Sequence, residues 1–210
     1  MNRPVLLWSG VGAIALAIVL GLVLAAGGTN APAIDVTWNA FMADTRTPVL
    51  IEIASVLDHI GGGWIATYLI PLAVIGALLL LRRWRSAVFV AAALLFSVVA
   101  VQLLKTLFAR TRPEDMLIVS DFGSFPSGHT ANAATLATLA VLLFPRIWVL
   151  IVAVGWTVLM ALSRTLVSVH WLTDTVGGML VGAGATLVLG GFMLTWARSR
   201  GVESGMENRP

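Results

Sequence analysis

Six long stretches of the chain contain no Asp, Glu, Lys or Arg. A helix needs about 20 mostly apolar residues to cross a bilayer, and these stretches come close to that length. The fifth is short, but it extends through 163–169 if Arg164 faces protein rather than lipid. The pattern predicts an all-α polytopic membrane protein with six transmembrane helices: Val5–Gly27, Trp64–Leu81, Ala87–Leu104, Ser127–Phe144, Ile147–Leu162 and Thr175–Trp196.

The segment 28–63 is the one sizeable insertion between the predicted spans. Apolar residues recur at helical spacing from Ile34 to Met42, and polar residues take the other face. We therefore predict an amphipathic helix on the outer membrane interface, between the first and second spans. Pro48 favours a second short helix, Val49–Leu57, before the glycine run 61–63. The polar face of the first of these helices carries Asp35, Asn39 and Asp44.

Two local features refine the predicted spans. Pro71 is expected to kink the second span, because proline interrupts helical hydrogen bonding and membrane helices tolerate it. Gly178 and Gly182 form a small-residue motif in the last span, which predicts close packing against another helix.

Composition supports a lipid environment and excludes several classes of protein. Hydrophobic residues make up 59% of the chain and charged residues 11%, with a mean hydropathy of +0.95. A soluble domain is about a quarter charged, so a cytosolic globular enzyme, a disordered chain and a nucleic-acid binder are excluded. The absence of cysteine excludes disulfides, thiol catalysis and cysteine-based metal sites. The length predicts a single integral membrane domain over residues 1–210.

The distribution of basic residues predicts how the helices are oriented. If the N-terminus is inside, eight of the 13 Lys and Arg residues fall on the inner side. The positive-inside rule then puts both termini in the cytoplasm, with 198–210 as a cytoplasmic tail. The first stretch resembles a signal peptide, but its apolar run exceeds the roughly 7–15 residues of a signal core, which favours a retained helix.

Ionisable residues gather at the predicted outer ends of the spans, where each is a functional candidate because charge in a membrane is costly. Lys105 and Arg112 are seven residues apart and fall on one face of a helix that Pro113 is expected to end. Three separate stretches thus converge on one membrane face. The rest of the set lies at the neighbouring helix ends: His129, Arg164, His170 and Asp174.

This set of residues predicts a phosphate pocket. Two arginines and a lysine repel one another unless an anion lies between them, and guanidinium groups match phosphate oxygens in pairs. Ser127 and Gly128 start a predicted helix, whose free N–H groups favour an anion. We find no cluster of Asp and Glu on this face to hold Mg²⁺, so the sequence predicts metal-independent chemistry with no cofactor.

The two histidines suggest a division of labour at phosphorus. One imidazole attacks in line, while the other protonates the departing oxygen. Asp174 lies four residues after His170, where a carboxylate can hold one ring nitrogen and stabilise the cation formed on attack. His170 is therefore the better candidate nucleophile, and His129 is the better candidate acid.

These residues resemble the signatures of the type 2 phosphatidic acid phosphatase family of membrane lipid phosphatases. The first signature is Lys105 followed by Arg112-Pro113, the second is Pro126 to His129, and the third runs from Ser163-Arg164 through His170 to Asp174. No essential position departs from the pattern. The family also includes soluble vanadium haloperoxidases and glucose-6-phosphatase, so its motifs fix the phosphate chemistry better than the substrate.

The resemblance implies a six-helix fold with a metal-free phosphoryl-transfer site facing away from the cytoplasm, here in a bacterial plasma membrane. It implies that His170 forms a phosphohistidine assisted by Asp174, and that His129 protonates the leaving group and later activates water. The residues implied to bind the substrate phosphate are Lys105, Arg112, Ser127, Gly128 and Arg164.

Other polar residues near this face have simpler interpretations. His59 is expected to be a turn residue, with lining of the pocket mouth as the alternative. Arg110 lies off the face shared by Lys105 and Arg112 and is expected to contact lipid headgroups. Glu114, Asp115 and Asp121 are expected only to solvate their loop, with tuning of access to the pocket as the alternative.

The leading functional hypothesis is hydrolysis of a lipid phosphate or diphosphate, with undecaprenyl diphosphate first among the substrates. Phosphatidylglycerophosphate, phosphatidate and diacylglycerol diphosphate remain open. The alternatives are a lipid phosphotransferase and a non-catalytic lipid-binding membrane protein. The expected partners are the lipid substrate and membrane lipids, with no nucleic acid. Neither the oligomeric state nor the residues lining the lipid-tail groove can be read from the sequence.

Overall fold

The computed structural model describes residues 2–120 and 122–199, and this part of the chain is helical and contains no strand. Most of the predicted cytoplasmic tail, 200–210, lies outside the described residues. The helices are α1 (Arg3–Ala26), α2 (Ala33–Asp44), α3 (Pro48–Gly61), a π-helical turn (Ile65–Leu69), α4 (Ile70–Leu80), α5 (Trp84–Phe108), α6 (Gly128–Leu143), α7 (Ile147–Leu166) and α8 (Leu172–Arg198).

Four of these helices are long and apolar enough to cross a membrane, namely α1, α5, α7 and α8. A fifth span results if α3 and the unit Ile65–Leu80 are taken together, since they meet at a bend of 41°. Helix α6 has 16 residues, which is shorter than a typical span. The all-α membrane architecture is confirmed, whereas the count of six spans stays a prediction.

The second predicted span differs most from expectation. It was predicted as one helix over Trp64–Leu81, but the structure divides it into the π-helical turn and α4, with Pro71 in the first turn of α4. Helix α3 continues to Gly61, beyond the predicted end at Leu57. Its last turn therefore carries residues that the sequence analysis placed in a turn.

Helix α8 lies at the centre of the bundle and packs against α1, α5 and α6. Small residues let the backbones approach closely. A Cβ atom added at Gly182 would overlap the Ala131 carbonyl of α6, and one at Gly10 would lie 2.7 Å from the Val188 nitrogen. The predicted close packing of the Gly178–Gly182 motif is confirmed.

The bundle has two chemically distinct ends. At one end, Arg3 Nε donates to Thr195 Oγ1 (3.4 Å) and Arg85 Nη1 donates to Ser199 Oγ (2.7 Å), which joins the starts of α1 and α5 to the end of α8. The end of α5 and the start of α8 lie at the opposite end, together with the start of α6 and the end of α7. All the predicted site residues belong to this second end.

Helix α2 turns only part of its predicted polar face to water: Asp44 is exposed, but Asp35 is not. Its apolar Trp38 and Met42 pack with Leu166 and Val169 at the end of α7. On its other face Asp35 is fully buried, because it is enclosed in a network of hydrogen bonds described below. The interfacial position of α2 stays a prediction.

Candidate active site

The end of α5 brings Lys105 and Arg112 together by a different route from the one predicted. The helix stops at Phe108, because Ala109 adopts a left-handed conformation with φ +43°. The two residues thus do not share one helical face that continues to Pro113. They converge on a single carbonyl instead: Lys105 Nζ and Arg112 Nη2 both donate to Gly123 O, each at 2.9 Å.

The start of α6 is fixed against the start of α8. Ser127 is the N-cap of α6, and its hydroxyl accepts from Thr130 N (3.5 Å). Its own backbone N–H donates to the carbonyl of Asp174 (2.9 Å). Gly128 is the first residue of α6, so the positive end of this helix lies beside the start of α8.

His170 lies between Asp174 and Arg112 in a buried setting. Its Nδ1 is 3.6 Å from Asp174 Oδ2, and its Nε2 is 3.4 Å from Arg112 Nη1. The pKa of His170 is lowered to about 4, mainly because burial disfavours the charged ring. The nearby Asp174 carboxylate raises this pKa, but its effect is smaller than that of burial. The Arg112 and Lys105 cations lower the pKa further. The imidazole is therefore neutral at physiological pH, as a nucleophile must be.

Both oxygens of Asp174 are held by hydrogen bonds. Oδ1 accepts from Arg110 Nη1 (2.6 Å), and Oδ2 accepts from Trp171 N (2.9 Å). Arg110 also donates to Asp35 Oδ2 (2.7 Å), and Asp35 Oδ1 accepts from Thr173 N (2.9 Å). The prediction that Arg110 contacts lipid headgroups is wrong, because it bridges two buried carboxylates.

A third cluster joins α3, α6 and α7. Arg164 is fully buried, and its Nη1 donates to Asp58 Oδ1 while its Nη2 donates to Ala54 O (3.0 Å). The same Asp58 oxygen lies 3.1 Å from His129 Nε2, within ion-pair distance but outside hydrogen-bonding geometry. Sequence reasoning missed Asp58, which belongs to none of the three signatures.

The glycine run after α3 has a packing role at the same place. A Cβ atom added at Gly62 would overlap the imidazole of His129, and one at Gly61 would overlap Met160. The small size of these two residues lets the end of α3 approach α6 and α7. His59 does not join the cluster: it is exposed, and its Nδ1 lies 2.8 Å from Ser55 O.

Short connections tie the clusters to one another. Val169 N donates to Arg164 O (3.2 Å), so the segment before His170 folds back on the end of α7. Arg112 Nη1 donates to Val169 O, which links the α5–α6 loop to that segment. The eight residues predicted from the sequence therefore lie at one end of the bundle.

The loop after α5 is more ordered than predicted. Asp115 accepts hydrogen bonds from Asn39 Nδ2 (2.9 Å), Arg46 Nη2 (2.9 Å) and Ser168 Oγ (3.0 Å). Partial burial opposes ionisation, but the Asn39, Ser168 and Arg46 contacts hold the pKa of Asp115 below its usual value. The prediction that Asp115 only solvates the loop is wrong; Asp121 lies outside the described residues.

A cavity of about 400 Å³ opens beside His129, between the π-helical turn, α5 and α6. Most of its lining is apolar, as a lipid chain requires, with Leu94 and Val98 on α5. Polar side chains lie on three of its walls: Thr67, Gln102 and Asn132.

Residues 86–198 match the model of the PAP2 superfamily, and this range contains all three sequence signatures. The chain belongs to the PAP2 superfamily. Together with the relatives described next, this match identifies the protein as a membrane-embedded lipid phosphatase of that superfamily.

The PAP2 chain resembles proteins with different lipid substrates. It is 34% identical over 144 residues to a decaprenylphosphoryl-5-phosphoribose phosphatase of Mycobacterium tuberculosis, covering 65% of this chain and 76% of that one. It is 30% identical over 162 residues to phosphatidylglycerophosphatase B of Bacillus subtilis, covering 70% and 77%.

The fold matches a solved structure of the same superfamily. A transmembrane PAP2-type phosphatidylglycerolphosphate phosphatase from Bacillus subtilis superposes with a TM-score of 0.75 at 27% identity, covering 88% of this chain and 96% of that chain. The family resemblance proposed from the three signatures is thus confirmed.

Proposed function

We propose that this PAP2 phosphatase hydrolyses a lipid phosphate or diphosphate without a metal ion, through a phosphohistidine on His170. The observation that carries the proposal is the position of His170, whose Nδ1 faces a buried carboxylate while its Nε2 faces Arg112. That geometry orients one nitrogen and leaves the other beside a cation that attracts phosphate.

The cations supply the charge that the transition state needs. Lys105 and Arg112 converge on the Gly123 carbonyl, which holds the two cations close enough together to share one phosphate. Arg164, together with the Gly128 N–H and Ser127 at the start of α6, completes the proposed phosphate site; Ser127 would contribute its hydroxyl, because its N–H is held by the Asp174 carbonyl.

The reaction then proceeds in two steps. His170 Nε2 bonds to phosphorus as the bond to the leaving oxygen breaks, and that oxygen takes the bond's electron pair and a proton from His129. His129 next takes a proton from water, the water oxygen bonds to phosphorus, and the electron pair of the P–N bond returns to His170. Among residues 2–120 and 122–199, no group of three or more His, Asp and Glu is placed to hold a metal ion. This supports the proposal that Lys105, Arg112 and Arg164 stabilise the negative charge of the transition state.

We further propose that the lipid chain occupies the cavity beside His129 and that undecaprenyl diphosphate is the first substrate to test. The relatives act on prenyl and glycerolipid phosphates alike, so the assay needs both classes. Purified protein, with EDTA present, is expected to release phosphate from at least one lipid of the panel, and His170→Ala is expected to release none. Release from no lipid would contradict the proposed activity, and release that requires an alcohol acceptor would show a phosphotransferase.

The acid-lability of the intermediate tests the nucleophile directly. A phosphoramidate bond is stable in alkali and labile in acid, so rapid quenching with ³²P-labelled substrate should give alkali-stable label on the wild type. Label retained in His170→Ala would contradict the assignment.

We propose that the site faces outside and that both termini are cytoplasmic. The opposite end of the bundle carries a cluster of arginines, which the positive-inside rule places in the cytoplasm: Arg82, Arg83, Arg85 and Arg198. Because the chain has no cysteine, single cysteines introduced at Val119 and Ser199 can be labelled in intact cells with a membrane-impermeant reagent. We expect labelling of the cysteine at position 119 and not of the one at position 199. Labelling at position 199 alone would contradict the proposed orientation.

A further inference from the structure

Asp58 connects two residues that come from different sequence signatures. It lies in the last turn of α3, outside the range 86–198 that matches the PAP2 model. Its Oδ1 accepts from Arg164 and lies 3.1 Å from His129 Nε2. One carboxylate oxygen thus contacts a proposed phosphate ligand and the proposed general acid together.

The contact with Arg164 is part of a larger hold on that guanidinium. Nη2 donates to Ala54 O, also on α3, and Nε donates to Ser163 Oγ (3.2 Å). A fully buried guanidinium that loses its counter-charge is strongly destabilised. Helix α3 therefore fixes where Arg164 points.

The contact with His129 acts on the position of the ring. A carboxylate oxygen 3.1 Å from Nε2 attracts that nitrogen and keeps the imidazole turned toward α3. The other charged or titratable groups at this end include His59 on α3, Arg164 on α7, Lys105 on α5, Arg110 and Arg112 after α5, and His170 and Asp174 at the start of α8. Asp58 is the carboxylate within ion-pair distance of the His129 ring among the described residues.

We propose that Asp58 is a positioning residue of the hydrolytic reaction: it holds Arg164 toward the phosphate and holds the His129 ring in the position from which it protonates the leaving group. This role rests on the proposed function, in which His129 is the acid. When the P–O bond breaks and its electron pair moves to the leaving oxygen, the proton comes from His129. Asp58 keeps its charge throughout and transfers no proton.

A leaving-group comparison separates this role from a structural one. An alkyl lipid phosphate needs a proton on its departing oxygen, whereas a nitrophenyl phosphate carrying a long alkyl chain has a leaving group that departs without one. Asp58→Asn is expected to lower kcat/KM for the alkyl lipid by about 100-fold, the lower range of general acid catalysis. The loss for the nitrophenyl lipid is expected to be smaller, because the Asn amide oxygen can still accept from Arg164 and no proton transfer from His129 is needed.

Rescue by a carboxylate gives a second readout. Asp58→Glu keeps the charge and both acceptor oxygens, so it should recover part of the kcat/KM that Asp58→Asn loses on the alkyl lipid. Glu52→Gln is the matched control, because it makes the same chemical change at an exposed position of α3 and should leave kcat/KM for both lipids unchanged.

Two outcomes of Asp58→Asn would overturn the role: wild-type kinetics, and an equal loss on both lipids, which indicates structure alone. No phosphate release by the wild type would overturn the proposed function and this role with it. If Asp58→Asn does not fold, Asp58→Glu carries the test: its longer side chain displaces the His129 ring, so kcat/KM should fall more for the alkyl lipid than for the nitrophenyl lipid, and an equal fall would contradict the role.

Discussion

Asp35 offers the sharpest test of the network behind His170, the proposed nucleophile. Its carboxylate is fully buried and accepts hydrogen bonds from Arg110 Nη2 (2.7 Å), Thr173 N (2.9 Å) and Thr173 Oγ1 (2.6 Å). The substitution Asp35→Asn keeps the shape and removes the charge. It also places an NH₂ group opposite one of the hydrogen-bond donors that the carboxylate satisfied, because only the oxygen of the Asn amide can accept a hydrogen bond.

The expected cost follows from these contacts. Breaking a buried ion pair by removing one partner costs about 3–5 kcal/mol. Here Arg110 keeps its second partner, Asp174, at 2.6 Å, so part of the compensation remains. We expect a loss of about 2–3 kcal/mol, within the range of hydrogen bonds to charged groups. At about 2–4 °C per kcal/mol for a chain of this size, the midpoint of thermal unfolding should fall by about 5–10 °C.

The assay is thermal unfolding of the purified protein in detergent, followed at one heating rate for all variants. Asp44→Asn is the control, because it makes the same change at an exposed position of the same helix and should leave the midpoint unchanged. Phosphate release by Asp35→Asn should also fall, since Asp35 anchors the segment that carries Asp174. If the two variants unfold at the same temperature, Asp35 contributes no buried ion pair and the network has been misread.

Other predictions test the packing and the chemistry. Gly62→Ala should reduce phosphate release by at least about tenfold, because its Cβ would displace the His129 ring from the position that proton transfer needs. Gly182→Ala should lower the unfolding midpoint through overpacking against α6, while Gly155→Ala, where a Cβ has open space, should not. The pKa of His170 lies near 4, below the ordinary value of 6.5, so the ring should stay neutral as the pH falls to about 4. ¹⁵N NMR of the three labelled histidines measures this, and protonation of His170 near pH 6.5 would contradict it. Activity should persist in EDTA, and recovery only on adding Mg²⁺ would refute metal-independent hydrolysis.

The sequence was sufficient to predict which motif residues the fold brings to one end of the bundle, while their roles stay a prediction. Charges near apolar spans are so costly that Lys105, Arg112 and Arg164 had few explanations other than a shared anion. Their spacing matched a known family, and the structure brings them to one end of the bundle. The prediction that Lys105 and Arg112 share one helical face was wrong, because it required α5 to continue past Ala109.

The supporting carboxylates could not be identified in the same way. Asp35 lies on the polar face of an amphipathic helix. The sequence pattern of such a helix is the same whether that face contacts water or a buried arginine. Asp58 directly precedes His59 and a glycine run, which suggested a turn, but α3 continues through it to Gly61. Arg110 was assigned to the lipid because its partners, Asp35 and Asp174, lie far away in the sequence.

The placement of Asp35 on α2 and Asp58 on α3 limits how this enzyme can be divided. Every signature residue lies within 86–198, so a chimera that exchanges only that range between two PAP2 proteins would transplant all of the proposed reactive groups. It would leave behind Asp35 and Asp58, which contact Arg110 and Arg164 within that range. A swap made to alter lipid preference can therefore keep the recipient's residues 33–62 only when the donor also has acidic residues at positions 35 and 58. In every other case, residues 33–62 and 86–198 should be exchanged together.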